Sequence, residues 1–127
     1  MYSIIVPRNV LPQPNKREMS AVYILLDYFK MDIEFIPRSN CKTPDLLIGG
    51  IEWELKAPIG DGRRNLQHTI SRALRQSCYI IIDARFSKIH IARIKAKLTF
   101  EMNRNKRIKR LLIIDKQKNV IEIKRDA

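Results

Sequence analysis

Two short segments of the chain carry acidic and basic side chains at a spacing that can support phosphodiester chemistry. Asp45 precedes one apolar run, and Glu54 and Lys56 end the next. The dipeptide Gly49-Gly50 separates the two runs, and a two-residue Gly-Gly loop strongly predicts a β-hairpin. Pairing about this loop places Asp45 opposite Glu54 on one face of the sheet, with Cβ atoms roughly 4.5–5.5 Å apart. Lys56 follows on that face because strand side chains alternate.

Two carboxylates at this separation predict a cation between them, because each otherwise raises the pKa of the other. Mg²⁺ commonly takes one or two protein carboxylates and completes its shell with water and phosphate oxygens. Lys56 can position an attacking water and offset charge on the phosphorane. We therefore predict metal-assisted phosphodiester hydrolysis, with Asp45 and Glu54 as ligands of Mg²⁺ or another divalent cation. The alternative is an exposed hairpin face whose charges only aid solubility.

The composition favours a polyanionic partner. The 127 residues suit a single domain spanning 1–127, and 25 Lys and Arg against 13 Asp and Glu give a net charge of +12. No stretch approaches the roughly 18 consecutive apolar residues of a membrane-spanning helix, and the N-terminus lacks the basic lead of a secretory signal. Nucleic acid is therefore the expected partner, with no membrane-spanning segment and no signal peptide in this chain.

Helices and strands are expected to alternate around the hairpin. Asn15 followed by Glu18 is a capping-box pattern, which predicts the start of a first helix. Periodicity and turn residues then predict, in order, this helix to about Lys30, a strand over 32–36, the hairpin, a helix from Arg64 to about Ser77, a strand over 79–83, a helix capped by Ser87, and strands over 111–115 and 120–124. The order αβββαβαββ predicts an α/β fold with a mixed central sheet flanked by helices.

This arrangement resembles the PD-(D/E)xK nuclease superfamily. Pro44-Asp45 and Glu54-Leu55-Lys56 match its signature, and the helix, three strands, helix and strand over 15–83 are similar to its common core. The stretch 43–58, followed by a basic helix and a strand ending in Asp83, is similar to a narrower group. These are the tRNase toxin domains at the C-termini of contact-dependent growth inhibition proteins and related bacterial polymorphic toxins.

The resemblance implies a nuclease toxin that acts in the cytoplasm of a target bacterium. It implies structured RNA as the substrate, with tRNA preferred and DNA possible, and a cognate acidic immunity protein as a partner. It also implies a contribution from Glu18 to the catalytic site, whereas the residue pattern alone gives Glu18 the capping role. Gln76 matches a glutamine with which relatives touch substrate or orient a ligand, and the alternative for it is a solvated helix residue. The alternatives are a DNA endonuclease of the restriction or repair kind and a non-catalytic nucleic-acid-binding module.

Two basic segments are candidates for nucleic-acid binding. The second helix carries Arg64, His68, Arg72 and Arg75 at helical spacing on one face, and the third is followed by a dense run with Arg104, Lys106 and Arg107. Phosphate contacts from these side chains predict binding that weakens steeply with salt. Few aromatic residues are expected at this surface, which favours recognition of backbone and shape over base stacking. A metal-free route through the ribose 2′-hydroxyl, with Lys56 or His68 as base, is the mechanistic alternative.

Overall fold

The protein is described by a computed structural model that covers residues 1–37, 43–60 and 65–126. The elements are β1 (Ile4–Ile5), α1 (Lys16–Phe29), β2 (Ile33–Phe35), β3 (Leu46–Ile48), β4 (Ile51–Lys56), α2 (Asn65–Leu74), β5 (Tyr79–Asp83), α3 (Ile91–Arg104), β6 (Arg110–Ile114) and β7 (Val120–Ile123). The predicted α/β class is confirmed. The predicted order was wrong in omitting β1, because a two-residue strand produces no periodic pattern.

In these residues, seven strands form one mixed sheet whose spatial order is the order of the chain. β1 is parallel to β2. β3 pairs antiparallel with β2 on one side and, through the hairpin, with β4 on the other. β4, β5 and β6 are parallel, and β7 returns antiparallel to β6. The parallel pairs need crossover connections, which α1 supplies between β1 and β2, α2 between β4 and β5, and α3 between β5 and β6. None of the helices in the described part of the chain is long and apolar enough to cross a membrane.

The two faces of the sheet build two separate cores. Trp53 belongs to the core that α1 covers, whereas Ile80 and Ile82 belong to the core beneath α2 and α3. Glu54 is in register with Ile80, and Lys56 is in register with Ile82. Partners in a parallel ladder share a face, so Glu54 and Lys56 project toward the side of α2 and α3.

The two longest helices begin at side-chain caps. The capping box of α1 is confirmed, with Asn15 as the N-cap. The N-cap of α3 is His90, whose Nδ1 accepts the N–H of Ala92 at 3.1 Å. The prediction of Ser87 as this cap was wrong. The Ser87 hydroxyl accepts the N–H of Ile89 at 3.2 Å in the preceding turn, and the helix begins only after that turn.

Candidate active site

The β3–β4 hairpin has the register that the Gly-Gly loop predicts. Ile48 pairs with Ile51 across the loop, and the ladder continues to Trp53. Gly49 and Gly50 have φ values of 56° and 80°, in the left-handed region that a two-residue hairpin loop requires and that glycine adopts without strain. Trp53 is completely buried in the α1 core. Strand alternation therefore directs the residues on either side of it to the opposite face.

Asp45 lies immediately before β3 and is fixed by main-chain hydrogen bonds on both sides. Its N–H donates to the carbonyl of Trp53 at 3.1 Å, and its carbonyl accepts the N–H of Ile36 at 2.9 Å. Its side-chain Oδ2 accepts the N–H of Leu55 at 2.8 Å. The carboxylate is thus held against the segment of β4 that contains Glu54.

Glu54 is a buried carboxyl group, with a relative exposure of 4%. Its Oε2 lies 3.2 Å from Nζ of Lys56, whose side chain remains 32% exposed. Its Oε1 is buried without a hydrogen-bond partner. Burial and then the nearby Asp45 carboxylate raise the pKa of Glu54 to about 8, although Lys56 acts in the opposite direction. Without a cation, this carboxyl group is therefore mostly protonated at neutral pH.

The raised pKa of Glu54 predicts a stability that depends on pH. The folded protein binds this proton more tightly than the unfolded chain, for which the pKa is 4.5, so the stabilising contribution is complete at low pH and is lost as pH rises through about 8. We expect the free energy of unfolding of the metal-free protein, relative to that of Glu54→Gln, to fall as the pH rises from 4.5 to about 8. Urea denaturation of both proteins in EDTA measures the difference. A difference that does not change with pH would contradict the prediction.

The carboxylate pair fits a hard divalent cation. Two carboxyl groups this close cannot both ionise without repulsion, and a cation between them removes that cost. Within 1–37, 43–60 and 65–126, no group of three or more His, Cys, Asp or Glu could hold a metal ion. Two protein carboxylates are nevertheless a common share of a Mg²⁺ shell, which water and phosphate oxygens complete. Asp45 and Glu54 are thus the residues that could hold such an ion.

Glu18 is engaged at the start of α1. Its Oε1 accepts the N–H of Asn15 at 3.0 Å, and its own N–H donates to Asn15 Oδ1 at 2.8 Å. The helix packs on the Trp53 side of the sheet, whereas Glu54 projects from the other side. The contacts therefore give Glu18 the capping role, and the geometry offers no support for a catalytic one.

Glu52 shares the face of Glu54 but has a different environment. Its side chain is exposed, and it pairs with Leu47 nearer the turn. Its main-chain carbonyl accepts the Ser77 hydroxyl at 2.6 Å. Glu52 is therefore an acid on the same strand and face that lacks the burial and the lysine contact of Glu54.

α2 carries exposed basic residues and packs against the strand that holds part of the candidate site. α2 contacts β4 and β5 on the side to which Glu54 projects. His68 and Arg72 are exposed on the helix, and Arg75 is exposed in the turn after it. The predicted helix end at Ser77 was too late, because α2 ends at Leu74. Arg64 lies outside the described residues.

Gln76 also follows α2 and retains an unsatisfied acceptor. Its Oε1 is buried without a hydrogen-bond partner. Its N–H donates to the carbonyl of Ala73 at 2.9 Å, and the adjacent Ser77 bonds to β4. A buried amide oxygen beside β4 can accept a hydrogen bond from a ligand or a bound water. Its predicted role at the substrate stays a prediction.

The basic run that follows α3 has less free charge than its sequence indicates. Arg104 pairs with the buried carboxylate of Glu101 at 3.2 Å, and Arg107 donates to the last carbonyl of α2 at 3.3 Å. Arg110 pairs with a carboxylate of β7 at 2.9 Å. Lys106 is exposed. The contacts of Arg107 and Arg110 join distant parts of the chain, so the local sequence cannot indicate that these two cations are engaged.

A buried ion pair on the α1 side was not among the predicted site residues. Arg85 donates to both carboxylate oxygens of Asp83, at 2.9 and 2.8 Å. The two side chains are only 8% and 1% exposed. Arg85 also donates to the Ser20 hydroxyl at 2.7 Å. The pair connects the end of β5 to α1 and therefore has a structural role.

Comparisons with known proteins agree with the resemblance to growth-inhibition toxins. Residues 42–120 match the model of the contact-dependent growth inhibition CdiA C-terminal domain. Among solved structures, the chain is similar to a chain of the CdiA-CT/CdiI toxin and immunity complex from Burkholderia pseudomallei. The TM-score is 0.65 at 22% identity, over 96% of this chain and 98% of that chain, a likeness that establishes the fold. The comparison with curated proteins gives no match.

The family match includes the whole candidate site, since Asp45, Glu54 and Lys56 all lie within 42–120. It spans more than half of the chain. The match does not assign roles to individual side chains, so the catalytic and binding roles named above stay predictions. The chain belongs to the family of CdiA C-terminal domains of contact-dependent growth inhibition.

Proposed function

We propose that the chain is a metal-dependent nuclease that hydrolyses phosphodiester bonds of structured RNA and acts as a bacterial growth-inhibition toxin. The observation that carries this proposal is the meeting of Asp45, buried Glu54 and Lys56 on one hairpin, with Nζ of Lys56 3.2 Å from Glu54. An exposed, solubilising face does not require a buried carboxyl group with an unsatisfied oxygen. Membership in the CdiA C-terminal family supports the toxin role.

In the proposed mechanism, Asp45 and Glu54 would hold Mg²⁺ or another divalent cation. When bound, such an ion would supply Lewis-acid chemistry at the scissile phosphate. Lys56 is close enough to Glu54 to orient the attacking water, and its ammonium offsets charge that develops on the phosphorane. Since Glu54 is mostly protonated at neutral pH without a cation, we expect ion binding and proton release to be linked.

The substrate is expected to lie across α2. His68 and Arg72 are exposed on α2, which packs against the strand that carries Glu54, and Arg75 is exposed just after the helix. The net charge of +12 favours a long polyanion. The preference for tRNA rests on the similarity of 43–58 to tRNase toxin domains. We propose the cytoplasm of a target bacterium as the place of action, because tRNA is found there.

We also propose a cognate immunity protein as a partner. The solved relative belongs to a toxin and immunity complex. A strongly basic chain favours a partner of opposite charge, because complementary potentials speed association and select against wrong partners. The partner of this chain is therefore expected to be acidic.

The proposed activity is tested by incubating the purified chain with total tRNA and with plasmid DNA, each in Mg²⁺ and in EDTA. We expect tRNA fragments in Mg²⁺, intact tRNA in EDTA and intact plasmid, because the two carboxylates need a cation to act on a phosphate. Cleavage of tRNA that resists EDTA would favour the 2′-hydroxyl route through Lys56 or His68. Cleavage of plasmid alone would favour a DNA endonuclease, and binding without cleavage would favour a non-catalytic module.

A further inference from the structure

α3 presents an exposed aromatic ring within a row of basic side chains. Arg93, Lys97, Phe100 and Arg104 recur at spacings of four, three and four, which places them along one helical face. The Phe100 side chain is 56% exposed. The buried residues of the helix lie on another face. Few exposed aromatic residues are expected in this region, and Phe100 is one of those few.

The charges around Phe100 make the row strongly cationic. Arg104 is tethered by its ion pair with buried Glu101, and its guanidinium carbon lies 5.6 Å from the centre of the Phe100 ring. Arg93 and Lys97 are exposed and have no ion pair in the part of the chain that the structure describes. Glu101 is the single acid of α3, and it is buried. Two unpaired cations beside an exposed ring therefore select an anionic partner that also has an apolar face.

We propose that Arg93, Lys97 and Phe100 form a second RNA-binding site, in which Phe100 stacks on an unpaired nucleobase and the two cations contact neighbouring phosphates. Aromatic side chains beside cations are the common platform for unpaired bases. Bases within A-form helices have no free face, so the site selects a loop or a single-stranded end. This inference rests on the proposed function and specifies the substrate as RNA that combines paired and unpaired regions.

The position of α3 allows one RNA to reach both sites. α3 packs with α2 on the side of the sheet to which Glu54 projects. A structured RNA that contacts Arg72 and Arg75 near the candidate active site can therefore continue across α3. The second site would hold an unpaired segment while a phosphate elsewhere lies at the carboxylates.

The test compares two labelled RNAs of equal length, a hairpin with an unpaired loop and a blunt duplex, by fluorescence anisotropy. An Asp45→Asn parent is used to prevent cleavage. Phe100→Ala should weaken binding of the hairpin about tenfold and leave binding of the duplex within about twofold, the range expected for loss of one stacked base. Phe100→Trp should bind as the parent does. Tyr23→Ala, which removes a ring that is 61% exposed on α1, is the matched control and should change neither affinity.

The cations of the site have their own readout. Arg93→Gln and Lys97→Gln should each reduce the slope of log affinity against log salt by about one, because each removes a phosphate contact. Phe100→Leu preserves apolar volume without an aromatic face, so it should lose hairpin affinity as the alanine variant does. Circular dichroism melting confirms that each variant is folded, and the leucine variant decides the result if the alanine variant is not.

The outcomes separate this inference from the proposed function. If the parent binds neither RNA, the proposed function fails and the second site fails with it. If the parent binds but the alanine and leucine variants match it on the hairpin, only the second site is overturned. Equal losses on both RNAs overturn base stacking. Binding of anionic phospholipid vesicles is measured with the same proteins. If Phe100→Ala weakens only vesicle binding, base stacking is also overturned, because the ring would then serve a membrane surface.

Discussion

Asp45→Asn and Glu54→Gln are each expected to lower the rate of RNA cleavage by about 10²- to 10³-fold, the cost typical of removing one group that stabilises charge in a transition state. Each amide has nearly the shape of the acid it replaces but cannot supply a negative charge to a cation. RNA affinity should be unchanged or higher, because a negative charge near the phosphates is removed. Single-turnover cleavage at saturating protein, with anisotropy for binding, measures the two quantities separately.

Glu52→Gln is the control for both variants. Glu52 lies on the same strand and face, but its side chain is exposed, and Glu54 alone has the buried oxygen and the lysine contact. We expect Glu52→Gln to cleave within about twofold of wild type, as surface substitutions away from a site generally have small effects. Wild-type rates for Asp45→Asn and Glu54→Gln would contradict the hairpin site. A similar loss in all three variants would indicate a general effect of charge.

Asp83→Ala is expected to lower the free energy of unfolding by about 3–5 kcal/mol, because it leaves the guanidinium of Arg85 buried without its carboxylate. The pair is almost completely removed from solvent, with 8% and 1% of the two side chains exposed. Urea denaturation monitored by the fluorescence of Trp53, the only tryptophan of the chain, measures the change. The rate of cleavage per folded molecule should stay unchanged, because the pair lies on the α1 side.

The pair between Arg110 and Glu122 provides the matched comparison. These two side chains are 35% and 26% exposed, so solvent screens their attraction. The pKa of Glu122 is lowered mainly by its hydrogen bonds with Arg110, so this pair stabilises the fold above the ordinary pKa of a carboxyl group and weakens in acid. We expect Glu122→Ala to cost about 1 kcal/mol or less at neutral pH. If Asp83→Ala and Glu122→Ala lower the free energy of unfolding by the same amount, burial does not explain the strength of the pair between Asp83 and Arg85.

The hairpin was predictable because each part of its geometry is local. Gly49-Gly50 fixes the loop, and the alternation of apolar side chains fixes the face that is buried. The side on which Glu54 and Lys56 lie follows from that register alone. The burial of Glu54 was not predictable, since it depends on helices that pack from elsewhere in the chain. The pKa of Glu54, about 8, was not predictable either, because burial is its main cause.

Most of the features that sequence reasoning missed depend on contacts between distant residues. Arg107 reads as a free cation but donates to the end of α2, and Arg110 bonds with β7. Phe100 lies off the spacing of the buried residues Ile94, Leu98 and Met102, but how far its ring is exposed depends on the packing of α3. The cap of α3 was misplaced because Ser87 precedes a turn that has no distinct pattern of its own.

The sheet order has a consequence for how rapidly the molecule can acquire its shape. Every strand pairs with its immediate neighbour along the chain, and the longest gaps between partners are closed by a single helix. The three antiparallel pairs close short loops, whereas each of the three parallel pairs encloses a whole helix, so the parallel pairs lose more chain entropy before they form. The hairpin that carries Glu54 and Lys56 is therefore expected to form early in refolding, before the sheet is complete.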